Sequence, residues 1–202
     1  MARKRIVTVH SHKRVFDGRY KIDEAVFSFD RAAGPGRIEK ARRLVFERGD
    51  SAAVLLHDVA RDMIIVAEQF RYATYAKGPG YILEAVAGSV EEGEAPDDCI
   101  RRELMEEVGY QVQDLTLIGS FYVSPGATSE RIFLYYAKVT PDNLVDPEAS
   151  GLAAEKEDVK RVEFTREDFL ARLEAGRFQD GKILTAGFWL KAQPRQGKPR
   201  RR

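Results

Sequence analysis

The sequence predicts an α+β fold: a mixed sheet sandwiched between helices, preceded by an antiparallel β segment. Short runs of β-branched and aromatic residues recur along the 202-residue chain, separated by turns rich in Gly, Pro and Asp. Helical caps and periodicity occur in only a few stretches, and these do not alternate strictly with the strands. A chain of this length suits one domain of ordinary size with a small appendage.

The first third of the chain predicts a small antiparallel sheet. Residues 6–9 and 20–29 carry β-forming residues, residues 33–36 form a Gly-Pro turn, and residues 38–46 predict the returning strand. Such a sheet cannot bury both of its faces alone. We therefore expect residues 1–48 to be an N-terminal antiparallel β subdomain that mediates homodimerisation.

The main domain is expected over residues 49–193. Short apolar runs predict its strands at 52–56, 63–67, 81–86, 115–123, 131–139 and 161–164. Capping residues and periodicity predict helices at 96–107, 165–175 and 183–192. Residues 141–158 are acidic and poor in core-forming residues, which predicts a long loop of the kind that is usually functional or disordered.

The composition argues against several classes of protein. A net charge of +1 does not suit a general nucleic-acid binder. The single cysteine, Cys99, excludes an internal disulfide framework and fits a reducing compartment. No apolar run reaches the about 18 residues of a membrane span, so we expect a cytoplasmic protein without a membrane partner. Residues 194–202 are basic and nearly devoid of apolar residues, which predicts a disordered tail.

An acidic helix is the main candidate for chemistry. Pro96 suits its first position and Gly109 its end. Glu103, Glu106 and Glu107 stand at i, i+3 and i+4, so their carboxylates project from one side. Converging carboxylates suit a hard divalent cation such as Mg²⁺. Taken alone, the same glutamates also fit a solvated helix face.

The spacing around this helix favours the metal-binding interpretation. A glycine, a glutamate and an Arg-Glu pair precede an apolar residue, two glutamates, a glycine and a large residue. In sequence order these are Gly88, Glu94, Arg102, Glu103, Leu104, Glu106, Glu107, Gly109 and Tyr110. The pattern resembles the signature of the Nudix hydrolases at each fixed position.

Further motifs resemble one branch of that family, the ADP-ribose and nucleoside diphosphate sugar pyrophosphatases. They lie at residues 42–49, 68–71, 83–88, 124–131 and 155–158. Pro125 stands where a proline accompanies ADP-ribose use in this branch. Residues 69–74 and 179–182 are more similar to the GDP-mannose-cleaving relatives, so the resemblance leaves the nucleobase and sugar open.

The resemblance also implies roles for individual residues. It implies metal ligation by Glu103, Glu107, Glu157 and the Ala87 carbonyl, with Mg²⁺ as the cofactor and Mn²⁺ as a substitute. Glu155 matches the general base, with Glu157 as an alternative base, Glu106 lies beside the metal ligands, and Arg102 pairs with Glu94 to fix loop to helix. The substrate-binding residues implied are Tyr20, Arg43, Arg71, Glu84 and Glu130.

The function expected from this resemblance is Mg²⁺-dependent hydrolysis of ADP-ribose, or of a related nucleoside diphosphate sugar, to a nucleoside monophosphate and a sugar phosphate. A GDP-mannose pyrophosphatase of the same branch is one alternative. A Nudix-fold sensor that binds a nucleotide without cleaving it is another, although such modules often lose acidic signature residues and none is lost here.

Overall fold

The computed structural model describes residues 5–194. Apart from Pro194, the predicted basic tail lies outside the described residues. These residues divide into two compact units: residues 5–50 with 121–131, and residues 51–120 with 132–194. The excursion at 121–131 thus belongs with the N-terminal residues rather than with its sequence neighbours.

The first unit contains a three-stranded antiparallel sheet in the order β1-β2-β3. Its strands are β1 (Val7–Asp17), β2 (Lys21–Asp30) and β3 (Arg37–Glu47). β1 is longer than its predicted span of 6–9, because the polar residues that follow pair with β2 as far as Asp17 opposite Lys21. Every residue of β1 is exposed.

The excursion 121–131 is hydrogen-bonded to the end of β3. The Phe46 amide donates to the Ala127 carbonyl at 2.8 Å, and the Ser129 amide donates to the Phe46 carbonyl at 3.2 Å. The Ser129 hydroxyl donates to a Glu47 carboxylate oxygen at 2.6 Å. These bonds explain why the excursion groups with the first unit.

A seven-stranded mixed sheet forms the centre of the second unit. Its strands are β4 (Ser51–Asp58), β5 (Met63–Phe70), β6 (Tyr81–Glu84), β7 (Val86–Ser89), β8 (Thr116–Tyr122), β9 (Arg131–Val139) and β10 (Val159–Thr165). The main path is β10-β5-β4-β9-β8, with β6 on β5 and β7 on β4. β4 and β9 run parallel, which makes the sheet mixed.

The predicted strand at 81–86 is broken in two at Ala85. β6 pairs with β5, whereas β7 pairs with β4, so the chain changes partner at this residue. The Ala85 amide donates to Asp180 Oδ2 at 3.0 Å. A buried backbone donor needs a partner, and here a side chain supplies it.

Four helices complete the second unit: α1 (Tyr72–Tyr75), α2 (Pro96–Val108), α3 (Arg166–Glu174) and α4 (Gly181–Ala192). α2 begins at Pro96 and ends before Gly109, which has a left-handed φ of 72°. Thr165 caps α3 and Asp180 caps α4 through side-chain oxygens. The short α1 has no counterpart in the sequence prediction.

The core lies on both faces of β4, all of whose residues are buried. Ala52, Val54 and Leu56 share one cluster with apolar residues of α2, including Leu104. The alternating residues point to the opposite face, and α4 also contacts β4. The predicted α+β fold with a mixed sheet and an N-terminal antiparallel sheet is therefore confirmed. Among residues 5–194, none of the helices is long and apolar enough to cross a bilayer.

Candidate active site

The three glutamates of α2 differ in burial. Glu107 is 3% exposed, and the side chains of Glu103 and Glu106 are 12% and 25% exposed. Burial, followed by the charges of Glu103 and Glu157, raises the pKa of Glu107 to about 8. Burial also raises the pKa of Glu103, against the opposing effect of Arg102. A positive ligand that bound here would relieve the repulsion among these carboxylates.

Gly88 allows β7 to approach α2 closely. A Cβ atom at this position would lie 1.8 Å from Oε1 of Glu103. This distance is far shorter than a van der Waals contact, so any side chain here would clash with Glu103. The backbone around Gly88 therefore runs directly against a carboxylate of the helix. The Ala87 carbonyl belongs to this same stretch of β7.

Arg102 forms the hub of an ionic network. Its guanidinium holds Glu94 through two hydrogen bonds, of 3.1 Å from Nε and 3.2 Å from Nη2. Its Nη1 also donates to Glu103 at 2.8 Å and to Glu106 at 3.2 Å. The implied pair with Glu94 is present, whereas the bonds to Glu103 and Glu106 were not anticipated. Arg102 thus orients the glycine-containing loop and two of the α2 carboxylates together.

The predicted loop 141–158 contains two short 3₁₀ turns, Pro141–Asn143 and Ala153–Glu155. The Glu155 backbone ends the second turn, and its side chain lies outside the described part of the structure. The Glu157 carboxylate accepts a hydrogen bond from the Leu152 amide at 3.1 Å. Its charge contributes to the raised pKa values of Glu103 and Glu107.

A second network lies in the same unit and carries two cations. Arg71 donates to Glu84 through Nε at 2.6 Å. Lys182 contacts Glu84 at 3.3 Å and Asp180 at 2.8 Å, and its side chain is only 14% exposed. The charges of Glu107 and Glu157 also act on Arg71. Two of the substrate-binding candidates, Arg71 and Glu84, are therefore bonded to each other beside the acidic helix.

The other three substrate-binding candidates belong to the first unit. The Arg48 guanidinium lies 5.6 Å from the centre of the Tyr20 ring, and it forms an ion pair with Glu130 at 3.6 Å. Tyr20 also packs edge-on against Phe46, with a centroid distance of 5.3 Å. Arg43 is exposed, and its guanidinium donates to the Arg42 carbonyl at 2.8 Å.

Within the described residues, the second unit offers oxygen donors for a metal ion but no preformed cluster of carboxylates. Among the described side chains, no three His, Cys, Asp or Glu residues form a ready-made ligand cluster; Arg102 instead contacts Glu103 and Glu106. The donor chemistry nevertheless suits a hard divalent cation, because it consists of carboxylates and a backbone carbonyl. The buried Glu107 and the close approach at Gly88 provide a partly enclosed, negatively charged place for one.

Sequence reasoning missed Lys182 and Arg48 as members of these networks. Lys182 follows the helix cap Asp180, and a lysine in the first turn of a helix opposes the helix dipole. That unfavourable position is the local signal that the side chain has a specific carboxylate partner. Arg48 lies just beyond β3, and nothing in its sequence neighbourhood indicates the contact with Tyr20.

Comparison with known proteins agrees with these features. A NUDIX domain model matches residues 47–186. The chain is 36% identical over 160 residues to a GDP-mannose pyrophosphatase of Yersinia pestis (strain Pestoides F), covering 78% of this chain and 79% of the relative. Proteins of the same name from Pectobacterium atrosepticum and Enterobacter sp. (strain 638) are 34% and 31% identical, covering 78% of this chain and 81% of each relative.

Proposed function

Because the chain belongs to the NUDIX domain family of pyrophosphatases, we propose that it hydrolyses the pyrophosphate bond of nucleoside diphosphate sugars in the presence of Mg²⁺. The observation that carries the proposal is the pair of acidic side chains Glu103 and Glu107, both largely buried, beside the Arg71–Glu84–Lys182 network. Nudix hydrolases generally use divalent metals, and a diphosphate brings negative charge that both cations and metal ions complement.

GDP-mannose is the preferred substrate in this proposal. The relatives at 31–36% identity are GDP-mannose pyrophosphatases, and residues 69–74 and 179–182 resemble the same group. ADP-ribose remains the second candidate, supported by Pro125. The two substrates share a diphosphate between a nucleoside and a sugar, so they make the same demands on the acidic helix.

The reaction transfers one proton and exchanges one P–O bond for another. The oxygen of a water molecule bonds to one phosphorus, the bridging P–O bond breaks, and its electron pair leaves with the other phosphate. Glu155 accepts the proton that water loses, with Glu157 as the alternative base. Glu103, Glu107, Glu157 and the Ala87 carbonyl would hold the divalent cation, which would supply positive charge against the diphosphate and lower the pKa of water.

The remaining site residues bind substrate in this proposal. Arg71 presents a guanidinium fork that suits two phosphate oxygens, and Glu84 fixes its orientation through the 2.6 Å hydrogen bond. Tyr20, with its face towards Arg48, offers a surface for a nucleobase, and Glu130 holds Arg48 in place. Arg43, exposed on β3, is a further candidate for phosphate contact.

Turnover of a substrate panel tests the proposal directly. The protein is incubated with MgCl₂ and GDP-mannose, ADP-ribose, NADH or a dinucleoside polyphosphate, and the products are separated by chromatography. We expect GMP and mannose 1-phosphate from GDP-mannose. Glu107→Gln, which keeps the shape of the side chain but removes its charge, is expected to abolish turnover while sparing the fold. Turnover within tenfold of the parent would refute the metal-binding role of Glu107.

The same experiment separates catalysis from sensing. A sensor would bind nucleotide in a titration yet release no monophosphate. The presence of Glu103, Glu106 and Glu107 favours an enzyme over a sensor, because a protein that only binds nucleotide would not need these three glutamates.

We also propose that the protein is a homodimer formed through the β1–β3 sheet. Large apolar side chains are exposed on this sheet, including Val7, Val9 and Leu44, each more than half exposed. Contiguous exposed apolar patches commonly mark interfaces. Sedimentation at micromolar concentration is expected to give twice the chain mass, and Leu44→Glu is expected to shift the protein towards monomer. A monomeric parent would contradict the proposal.

A further inference from the structure

The C-terminal end of α2 leaves backbone carbonyls that the helix itself does not satisfy. The amides of Gly109 and Tyr110 both donate to the Leu104 carbonyl. In a continuing helix, the Tyr110 amide would instead bond to Glu106. The carbonyls of Glu106 and Val108 therefore need donors from elsewhere in the chain.

The loop 141–158, which carries Glu155 and Glu157, supplies the donor for the Glu106 carbonyl and two more for the carbonyl of Gly109. The Gly151 amide donates to the Glu106 carbonyl at 2.9 Å. The amides of Val145 and Asp146 donate to the Gly109 carbonyl at 2.9 and 3.1 Å. The loop is thus hydrogen-bonded to the end of the helix at two separate points.

The glycine at the end of α2 makes this close approach possible. A Cβ atom on Gly109 would lie 1.6 Å from the Asp146 carbonyl oxygen. The loop backbone therefore occupies the space that a side chain would need. Gly109 serves the loop contact as well as the left-handed turn.

Arg161, on β10, connects the same two segments through one guanidinium. Its Nη1 donates to the Val108 carbonyl at 3.0 Å, and its Nη2 reaches the Pro147 carbonyl at 3.5 Å. A cation is favoured at the negative end of a helix dipole. The planar guanidinium carries several donors in a fixed geometry, so it can contact both carbonyls at once.

We propose that Arg161 is a positioning residue: it holds the loop 141–158 on the C-terminal end of α2 and so fixes Glu155 and Glu157 relative to Glu103 and Glu107. The catalytic consequence rests on the function proposed above. The clamp itself rests only on the hydrogen bonds at the helix end, so the two can be tested separately.

Hydrogen exchange followed by mass spectrometry tests the clamp without any substrate. In Arg161→Ala, the peptide that contains Val145, Asp146 and Gly151 is expected to exchange at least about tenfold faster, because these amides depend on a docked loop. Lys160→Ala is the matched control. Lys160 is the neighbouring residue of β10, its side chain is 73% exposed, and it forms a surface ion pair with Glu68.

Steady-state kinetics on the same variants tests the catalytic consequence. Arg161→Ala is expected to lower kcat about 10- to 100-fold, the effect of displacing a reacting group by about 1 Å, with KM within about threefold. Arg161→Lys keeps a positive charge near the Val108 carbonyl but lacks the planar guanidinium that contacts two carbonyls at once. Its loop exchange rate and its kcat are both expected to lie between those of the parent and of Arg161→Ala.

Several outcomes would overturn the proposal. One is a loop peptide that exchanges at the rate of the Lys160→Ala control. A second is an Arg161→Ala variant whose loop exchanges faster but whose kcat is unchanged. A third is an Arg161→Ala variant that has a lower melting temperature but neither faster loop exchange nor a lower kcat. A parent protein inactive on every nucleoside diphosphate sugar would refute the proposed function instead, and the exchange result would still decide the clamp.

Discussion

Replacing Gly88 by alanine tests whether the contact between β7 and α2 sets the geometry of the acidic site. The substitution adds a single methyl group. Gly88 pairs with Ala52 within the sheet, so alanine suits the strand itself. The consequence is therefore confined to what the added Cβ meets.

The size of the effect follows from the distances. The Cβ would lie 1.8 Å from Oε1, 2.0 Å from Cδ and 2.4 Å from Cγ of Glu103. Carbon atoms in contact are normally about 3.5–4.0 Å apart, so the Glu103 side chain must move by more than 1 Å. Such a displacement of a group at the reacting centre costs about 10²-fold in rate. Overpacking costs about 1–3 kcal/mol of stability as well.

Two measurements separate these effects. Steady-state kinetics with the best substrate is expected to show kcat reduced about 10²-fold. Titration with Mn²⁺, followed by electron paramagnetic resonance, is expected to show weaker binding, and it needs no turnover. Gly119→Ala is the matched control, because Gly119 also lies in a strand and a Cβ there would meet nothing within 4 Å.

A Gly88→Ala variant that retains kcat and Mn²⁺ affinity within threefold of the Gly119→Ala control would contradict this prediction. That result would mean that Glu103 has room to move without consequence, and that its carboxylate does not ligate the metal.

Three further predictions follow from buried groups in the second unit. The Tyr110 hydroxyl is buried and has no hydrogen-bond partner among the described residues, so Tyr110→Phe is expected to raise the free energy of unfolding by about 1 kcal/mol; a loss of stability in urea unfolding would reveal a bound water. Burial lowers the pKa of His57 below its ordinary 6.5. Below about pH 6.5, residue 57 therefore binds more protons in the unfolded chain than in the folded chain, so the free energy of unfolding is expected to fall as the pH drops. The urea midpoint of His57→Gln should depend less on pH than that of the parent. Burial raises the pKa of Cys99 to about 12, so a thiol reagent at neutral pH is expected to label it only after denaturation; rapid labelling of the folded protein would contradict its burial.

Local sequence signals were sufficient to predict α2. Pro96 and Gly109 mark its ends, and the structure begins and ends the helix at those signals. The pairing of Arg102 with Glu94 also follows from the signature. These features depend on residues close together in the sequence, where capping and side-chain spacing determine the outcome.

Features that depend on distant residues were not predicted. The break at Ala85 arises because the residues before it pair with β5 and the residues after it pair with β4. The Ala85 amide between the two halves donates to Asp180, which lies far along the chain. Lys182 joins Glu84 for the same reason. The residues near a strand in sequence do not specify which other strand it pairs with. These contacts can therefore be identified only from the three-dimensional structure.

The excursion 121–131 limits how the chain can be shortened. Its bonds to Phe46 and Glu47 tie a piece from the middle of the polypeptide to its beginning. A truncated protein starting at residue 51 would keep those eleven residues but would lack Phe46 and Glu47, their hydrogen-bonding partners. A fragment intended to contain the second unit alone should therefore close the gap between 120 and 132 with a short turn as well as remove the N-terminal residues.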